Sequence, residues 1–169
     1  MPHAKSTGAR SDGRRRRVLD QLDRAWCDFE DAHAGLSDEE MLRPGVTKLW
    51  SVRDLLAHVT WWEEEALTHL PLILRGGTPP RYKVAYGGIH AFNALMTERK
   101  KSLSLRQVRR EHAETHRRLV AYLESVPQDA FRSDARFRRR LRLDTFGHYP
   151  LHAAAIRKWR SGLGRHIKS

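Results

Sequence analysis

Apolar residues recur at intervals of three and four over four separate stretches of this chain, a periodicity typical of amphipathic helices. The stretches run over residues 18–36, 51–75, 104–126 and 144–161. No stretch shows the strict alternation of polar and apolar residues that a half-buried strand requires. The chain is therefore predicted to be all-α, with its four helices packed as a four-helix bundle.

The second and third predicted helices are separated by a long connection. Gly76-Gly77, Pro79-Pro80 and Gly87-Gly88 interrupt helical structure there, and residues 89–103 are predicted to be partly helical. A connection of this length allows a crossover, so the helices need not alternate in direction along the chain. One shared core is expected from the inward faces, formed by Leu55, Val59, Trp62, Leu119, Leu123, Ile156 and Trp159.

The formal charge of +12 is concentrated at the two ends of the chain. Residues 1–16 are predicted to be a basic disordered arm, residues 17–161 the bundle, and residues 162–169 a basic C-terminal tail. Residues 128–143 are predicted to be an arginine-rich loop. Such clusters favour weak, non-specific binding of nucleic acid that falls steeply with salt, because binding releases counterions from the phosphates. A solvated arm and loop that only aid solubility would explain this charge equally well.

Several classes of protein are excluded by composition. A single cysteine, Cys27, rules out an internal disulfide and a multi-cysteine zinc site, and it is predicted to be inert packing at the core edge. No apolar run reaches the ~20 residues of a membrane span, and the polar N-terminus does not resemble a secretory signal. We therefore expect a cytoplasmic protein without membrane contact, either a monomer or a homodimer. The acidic run at residues 63–65 is predicted to be a solvated helix face.

Three of the ten histidines form a candidate metal site. His148 and His152 are spaced i, i+4, so both imidazoles lie on one face of the fourth predicted helix. His58 lies at the edge of the inward face of the second helix. Three histidine nitrogens leave a coordination position open, which is typical of a catalytic site, and imidazole suits zinc or nickel. Pro150 is compatible with this helix only in its first turn.

Other interpretations of the histidines stay open at this stage. His112 and His116 have the same spacing on the third helix, and an inward histidine is more often a hydrogen-bonded core residue than a metal ligand. A di-iron carboxylate site needs two Glu-x-x-His motifs. Glu30 and His33 form the one such motif in the chain, so we reject that class of site.

Two blocks of sequence resemble a known family. Residues 50–58 (WSVRDLLAH) with Trp62 and Glu63 resemble the second-helix signature of the DinB-like superfamily, and residues 144–149 (DTFGHY) with His152, Ile156 and Trp159 resemble the fourth-helix signature of its ClbS/DfsB branch. The resemblance covers residues 17–161. It implies a four-helix bundle with an up-down-down-up topology and a divalent metal held by three histidines, which correspond here to His58, His148 and His152.

The resemblance also implies a function in small-molecule chemistry. We expect metal-dependent hydrolysis or thiol transfer on a reactive or toxic metabolite in a central pocket, with zinc or nickel at the histidines. Some members of the branch are thought to act without metal. The alternative is a module without catalytic activity, which sequesters a ligand or binds nucleic acid weakly.

Overall fold

The computed structural model describes residues 7–133 and 135–163, with side chains from residue 13 onward. Four long helices form most of this part of the chain: α1 (Thr7–His33), α3 (Val52–Leu74), α6 (Leu105–Ser125) and α8 (Tyr149–Leu163). Shorter helices lie between them: α2 (Asp38–Leu42), α4 (Tyr82–Tyr86), α5 (Ile89–Lys100) and α7 (Arg136–Asp144). Within the described ranges no strand is formed, which confirms the all-α prediction.

The long helices pack in two main pairs. α1 packs against α8, and α3 packs against both α6 and α7. The connection between α3 and α6 contains α4 and α5, and α5 packs on α3. The crossover is thus a helical segment, while the up-down-down-up order of the long helices stays a prediction.

The core lies where the predicted inward faces meet. Six of the seven residues expected there are buried, namely Leu55, Val59, Trp62, Leu119, Leu123 and Ile156. Trp159 differs, because it is only partly buried and packs against the edge of the core. Trp61 is more deeply buried than its neighbour Trp62, with 1 % of its surface exposed against 8 %. The face of α3 is therefore apolar over a wider arc than one stripe.

Serine residues fix the starts of three helices, of which α3 matters most for the site. Ser51 Oγ accepts a hydrogen bond from the Asp54 N–H (3.3 Å), and the Asp54 carboxylate accepts one from the Ser51 N–H (2.9 Å). This reciprocal capping box satisfies two of the free N–H groups at a helix start. His58 follows about two turns later on a helix whose first turn is well defined.

The N-terminal prediction needs a correction. α1 begins at Thr7, so residues 7–16 of the predicted disordered arm are helical. Arginine is a good helix former, and no proline interrupts this segment, so the helix extends beyond its apolar stripe. Arg15 of this extension donates a hydrogen bond to the Val126 carbonyl (3.2 Å). Residues 1–6 of the arm and 164–169 of the tail lie outside the described residues.

The predicted arginine-rich loop over residues 128–143 is also wrong. A short 3₁₀ turn (Gln128–Phe131) and α7 occupy most of it. Phe137 and Leu141 are buried on one face of α7, four residues apart, and this face packs on α3. The many arginines of the segment hide this short apolar pattern, which explains why the helix was missed.

Two further expectations concern the surface. Cys27 is exposed on α1, so the prediction that it packs at the core edge is wrong. Across residues 7–133 and 135–163, no helix combines the length and apolar character needed to cross a bilayer.

Candidate metal centre

The three predicted ligands come from two helices and one turn. His58 lies on α3 and His152 in the first turn of α8, whereas His148 immediately precedes α8. The fourth predicted helix, over residues 144–161, is thus divided between the end of α7 and α8. Pro150 lies in the first turn of α8, where its missing N–H and fixed φ are tolerated.

A tight turn separates α7 from α8 and places His148. The Gly147 N–H donates to the Arg142 carbonyl (2.9 Å), and a Cβ at residue 147 would lie 2.7 Å from that oxygen. Only glycine therefore allows this approach of the two backbone segments. The His148 and Tyr149 N–H groups then donate to the Thr145 carbonyl (2.6 and 3.0 Å). The turn sets the direction from which His148 enters the site.

The three imidazoles meet at their Nε2 atoms. His148 Nε2 lies 3.0 Å from His58 Nε2 and 2.8 Å from His152 Nε2. One ligand nitrogen from each of the three rings lies within 4.8 Å of the other two. The structure thus brings together the three residues that the sequence singled out as metal ligands.

A metal ion satisfies this cluster better than hydrogen bonding does. Each ring nitrogen carries either one proton or one lone pair. His148 Nε2 faces two other Nε2 atoms, so a single proton or lone pair would have to serve both contacts. A cation placed among three lone pairs satisfies all of them at once, which is the arrangement of a three-histidine metal site. The residues present therefore fit a divalent transition metal with an open coordination position.

Burial keeps these imidazoles in the form that binds metal. Burial, reinforced by His152 and His148, lowers the pKa of His58 to about 2. Burial lowers the pKa of His148 to about 4, and burial together with His148 lowers the pKa of His152 to about 3. All three rings are thus neutral at physiological pH. Trp50 and Trp61 pack on the His58 ring at centroid distances of 4.9 and 4.8 Å and hold its orientation.

A cavity of about 410 Å³ opens beside His58 and His148. Its walls are mainly apolar, as is usual for small-molecule sites. Apart from the two histidines, its polar lining side chains lie on α5 and α7 and on the tyrosine that starts α4. Besides His58 and His148, the full lining consists of Trp62, Tyr82, Ile89, Asn93, Arg140, Leu143 and Asp144.

A charged network forms one wall of this cavity. Arg140 Nε donates to Asp144 Oδ2 (2.6 Å), and its terminal nitrogen donates to Tyr82 Oη (2.7 Å). Tyr82 in turn donates to Glu65 Oε2 (2.5 Å). Burial, opposed by Arg140, raises the pKa of Asp144 to about 7. This wall therefore offers a guanidinium beside a carboxyl group that exchanges its proton near neutral pH.

His112 and His116, the alternative histidine pair on α6, do not meet at a common point. His112 Nε2 contacts Glu30 Oε1 (2.8 Å), whereas His116 Nδ1 donates to Glu63 Oε1 (2.8 Å).

Glu63 is fully buried, so its predicted place on a solvated face is wrong. Tyr149 Oη also donates to its Oε1 atom. Sequence reasoning missed this role because Glu63 stands in an acidic run. Its position after Trp61 and Trp62, on a broad apolar face, was the available signal.

Fold and site together define a class: a helical bundle that gathers three neutral histidines beside an apolar cavity. The model of the DinB superfamily matches residues 21–155, and the chain belongs to that superfamily. The resemblance to the DinB-like superfamily is therefore confirmed. No curated protein matches this chain.

Two solved structures share the fold. One is described as "Sibling Lethal Factor Precursor - DfsB"; it is 15 % identical, with 88 % of this chain and 96 % of that chain covered, at a TM-score of 0.73. The other is an uncharacterised protein from Escherichia coli UTI89, also 15 % identical, with 89 % and 94 % covered at a TM-score of 0.74. At this identity the likeness concerns the fold alone.

Proposed function

We propose that this protein is a metal-dependent enzyme that processes a reactive or toxic small metabolite, by hydrolysis or by thiol transfer, in the cytoplasm. The observation that carries the proposal is the meeting of three Nε2 atoms, with His148 Nε2 3.0 Å from that of His58 and 2.8 Å from that of His152. His58, His148 and His152 would hold zinc or nickel. When bound, such an ion supplies Lewis acidity and lowers the pKa of a coordinated water.

The chain's own residues would bind and orient the substrate. Trp62, Ile89 and Leu143 offer apolar surface to its body. The Arg140 guanidinium faces the same cavity and would stabilise negative charge that develops on a substrate oxygen. Cys27 lies on α1 and does not line this cavity, so the nucleophile would be water or an external thiol.

Turnover of electrophilic probes tests this proposal. We expect the zinc- or nickel-loaded protein to process activated esters or epoxides with water or a small thiol, and chelation to abolish turnover reversibly. Arg140→Gln should lower kcat by about 10²- to 10³-fold, the usual effect of losing one group that stabilises an oxyanion. Product formation by chromatography is the measurement.

The matched control is Arg142→Gln, because Arg142 is exposed on the same helix and does not line this cavity. Its activity should equal that of the parent, and circular dichroism should show that both variants are folded. Stoichiometric binding of the probes without turnover would mean that the protein is a sequestering module and not an enzyme.

A second candidate function, weak nucleic-acid binding, is favoured by one surface feature. A hollow of about 740 Å³ is lined by four arginines, Arg24 of α1 and Arg138, Arg139 and Arg142 of α7. This arginine hollow brings together basic groups from two distant parts of the sequence. Basic groups in such an arrangement would bind backbone phosphates without reading sequence.

For this function we expect DNA retention to fall steeply as salt rises. Arg24→Glu/Arg138→Glu/Arg142→Glu should reduce the slope of log K against log salt by about 2 to 3, since each phosphate contact contributes about 0.9. The control carries three charge reversals on the exposed face of α6, at Arg106, Arg110 and Arg118. Fluorescence anisotropy with a labelled duplex gives the slope. Retention that is sequence-specific, or equally reduced by both variants, would exclude binding by the arginine hollow.

A further inference from the structure

A second cluster of metal-type ligands lies outside the three-histidine site. Glu30 and His33 are one turn apart on α1 and face His112 of α6; we name these three residues the Glu30 triad. The triad borders a cavity of about 800 Å³ that shares no lining residue with the cavity beside His58 and His148. Whatever the Glu30 triad binds is therefore bound at a separate place.

The ligand atoms of the triad are close together. Glu30 Oε1 lies 2.8 Å from His112 Nε2 and 3.4 Å from His33 Nε2, and the three atoms lie within 4.8 Å of one another. The His112 side chain is only 3 % exposed and that of His33 12 %. Phe29 packs edge-on against both rings, at centroid distances of 5.8 and 5.4 Å, and limits their rotation.

The hydrogen bonds of Thr60 determine which nitrogen of His112 carries the proton. The single hydroxyl proton of Thr60 is donated to the Leu56 carbonyl (2.7 Å). Thr60 Oγ1 must then accept from His112 Nδ1 (3.3 Å), so that nitrogen is protonated. A neutral His112 consequently points the lone pair of Nε2 at a carboxylate oxygen 2.8 Å away. Two lone pairs at this distance repel unless a cation lies between them.

That cation is either a proton or a metal ion, and His33 favours the metal. A proton between Glu30 and His112 would satisfy those two residues and would leave His33 without a partner. His33 Nε2 is buried and has no hydrogen-bond partner among the described residues, since its 3.4 Å contact with Glu30 lacks hydrogen-bond geometry. A metal ion would use all three atoms.

From this geometry we propose that the Glu30 triad is a second binding site for a divalent transition metal, distinct from the three-histidine site. Two imidazoles and one carboxylate are the protein ligands of many catalytic zinc and non-haem iron sites. The remaining coordination positions face the cavity between α1 and α6, so water or a small ligand exchanges there. Thr60 acts as a positioning residue, because it orients the His112 ring without touching the ion.

Zn²⁺ and Co²⁺ are the probes, used on the untagged full chain. His148→Ala/His152→Ala removes the first site, and we expect this protein to retain one Zn²⁺ per chain at the Glu30 triad. Adding Glu30→Gln should abolish that uptake. Adding Thr60→Val instead should weaken it about 10- to 100-fold, the usual effect of losing a group that orients a ligand. Isothermal titration and the visible spectrum of bound Co²⁺ are the measurements.

The control in the same background is His116→Gln, because His116 borders the same cavity without belonging to the triad. Its affinity for Zn²⁺ should be unchanged. Glu30→Gln in the otherwise natural chain leaves the first site intact, so failure of either site is detected separately. If the His148→Ala/His152→Ala protein is folded but binds neither ion, or if Glu30→Gln lowers thermal stability without changing uptake, the triad is an ion pair and the proposal is wrong.

Discussion

His148→Ala/His152→Ala should lose the metal ion of the three-histidine site. Only His58 Nε2 remains in that variant, and one imidazole does not hold a divalent ion against water and buffer. The loss of affinity should exceed the about 10- to 100-fold that removal of a supporting residue costs, because two direct ligands are removed. Elemental analysis of untagged protein after dialysis against zinc or nickel gives the metal content per chain.

The control replaces His90, an exposed histidine outside both clusters, with alanine. Its metal content should equal that of the parent, which shows that the number of histidines does not decide uptake. A His148→Ala/His152→Ala protein with the parent's full metal content would place the ion elsewhere. If the parent takes up no ion, the protein is not a metalloenzyme, and a metal-free binding pocket is the better account.

Glu63→Ala should destabilise the fold by about 3–5 kcal/mol, the usual cost of removing one partner from a buried charged contact. Glu63 is fully buried, and its Oε1 atom accepts hydrogen bonds from His116 Nδ1 and Tyr149 Oη. The alanine variant leaves both donors without this partner, and the fully buried Tyr149 hydroxyl cannot bond to water instead. Urea denaturation followed by circular dichroism measures the change in the free energy of unfolding.

Conservative variants separate the buried contact from simple loss of volume. Glu63→Gln keeps the size of the side chain and should cost less than Glu63→Ala. Glu124→Ala, an exposed change on α6, should lie within about 0.5 kcal/mol of the parent, as surface substitutions usually do. A Glu63→Ala protein as stable as Glu124→Ala would mean that Glu63 is not the acceptor that joins α3 to α6 and α8.

Periodicity alone could predict that four long helices exist, because each has one face that must be buried, but not the N-terminal extension of α1 or the turn before α8. The Ser51 and Ser104 caps were readable for the same local reason, since a serine followed three residues later by Asp or Gln closes a capping box. α7 could not be predicted this way. Its face consists of two apolar residues among five arginines, so tertiary packing on α3 rather than local pattern makes it a helix.

The candidate sites show the same division between local and distant information. His148 and His152 could be paired by spacing, and periodicity placed His58 at the edge of the inward face of its helix. The family resemblance pointed to the same three residues, and metal binding there stays a prediction. The sequence indicated only two of the three residues of the Glu30 triad. Glu30 and His33 form a readable motif, but their third partner, His112, is separated from Glu30 by 82 positions. Only the packing of α1 near α6 brings it within reach.

The turn before α8 has a consequence for how the length of this chain can vary. Loops usually tolerate insertions and deletions. Between Leu143 and Tyr149, however, one added residue would shift His148 while leaving His58 and His152 on their helices. The length of this segment is therefore fixed by the position of His148, and Gly147 must stay where it is because no other residue fits there. A relative with a longer or shorter segment here would keep the bundle and the two helical histidines, and would need a different third ligand.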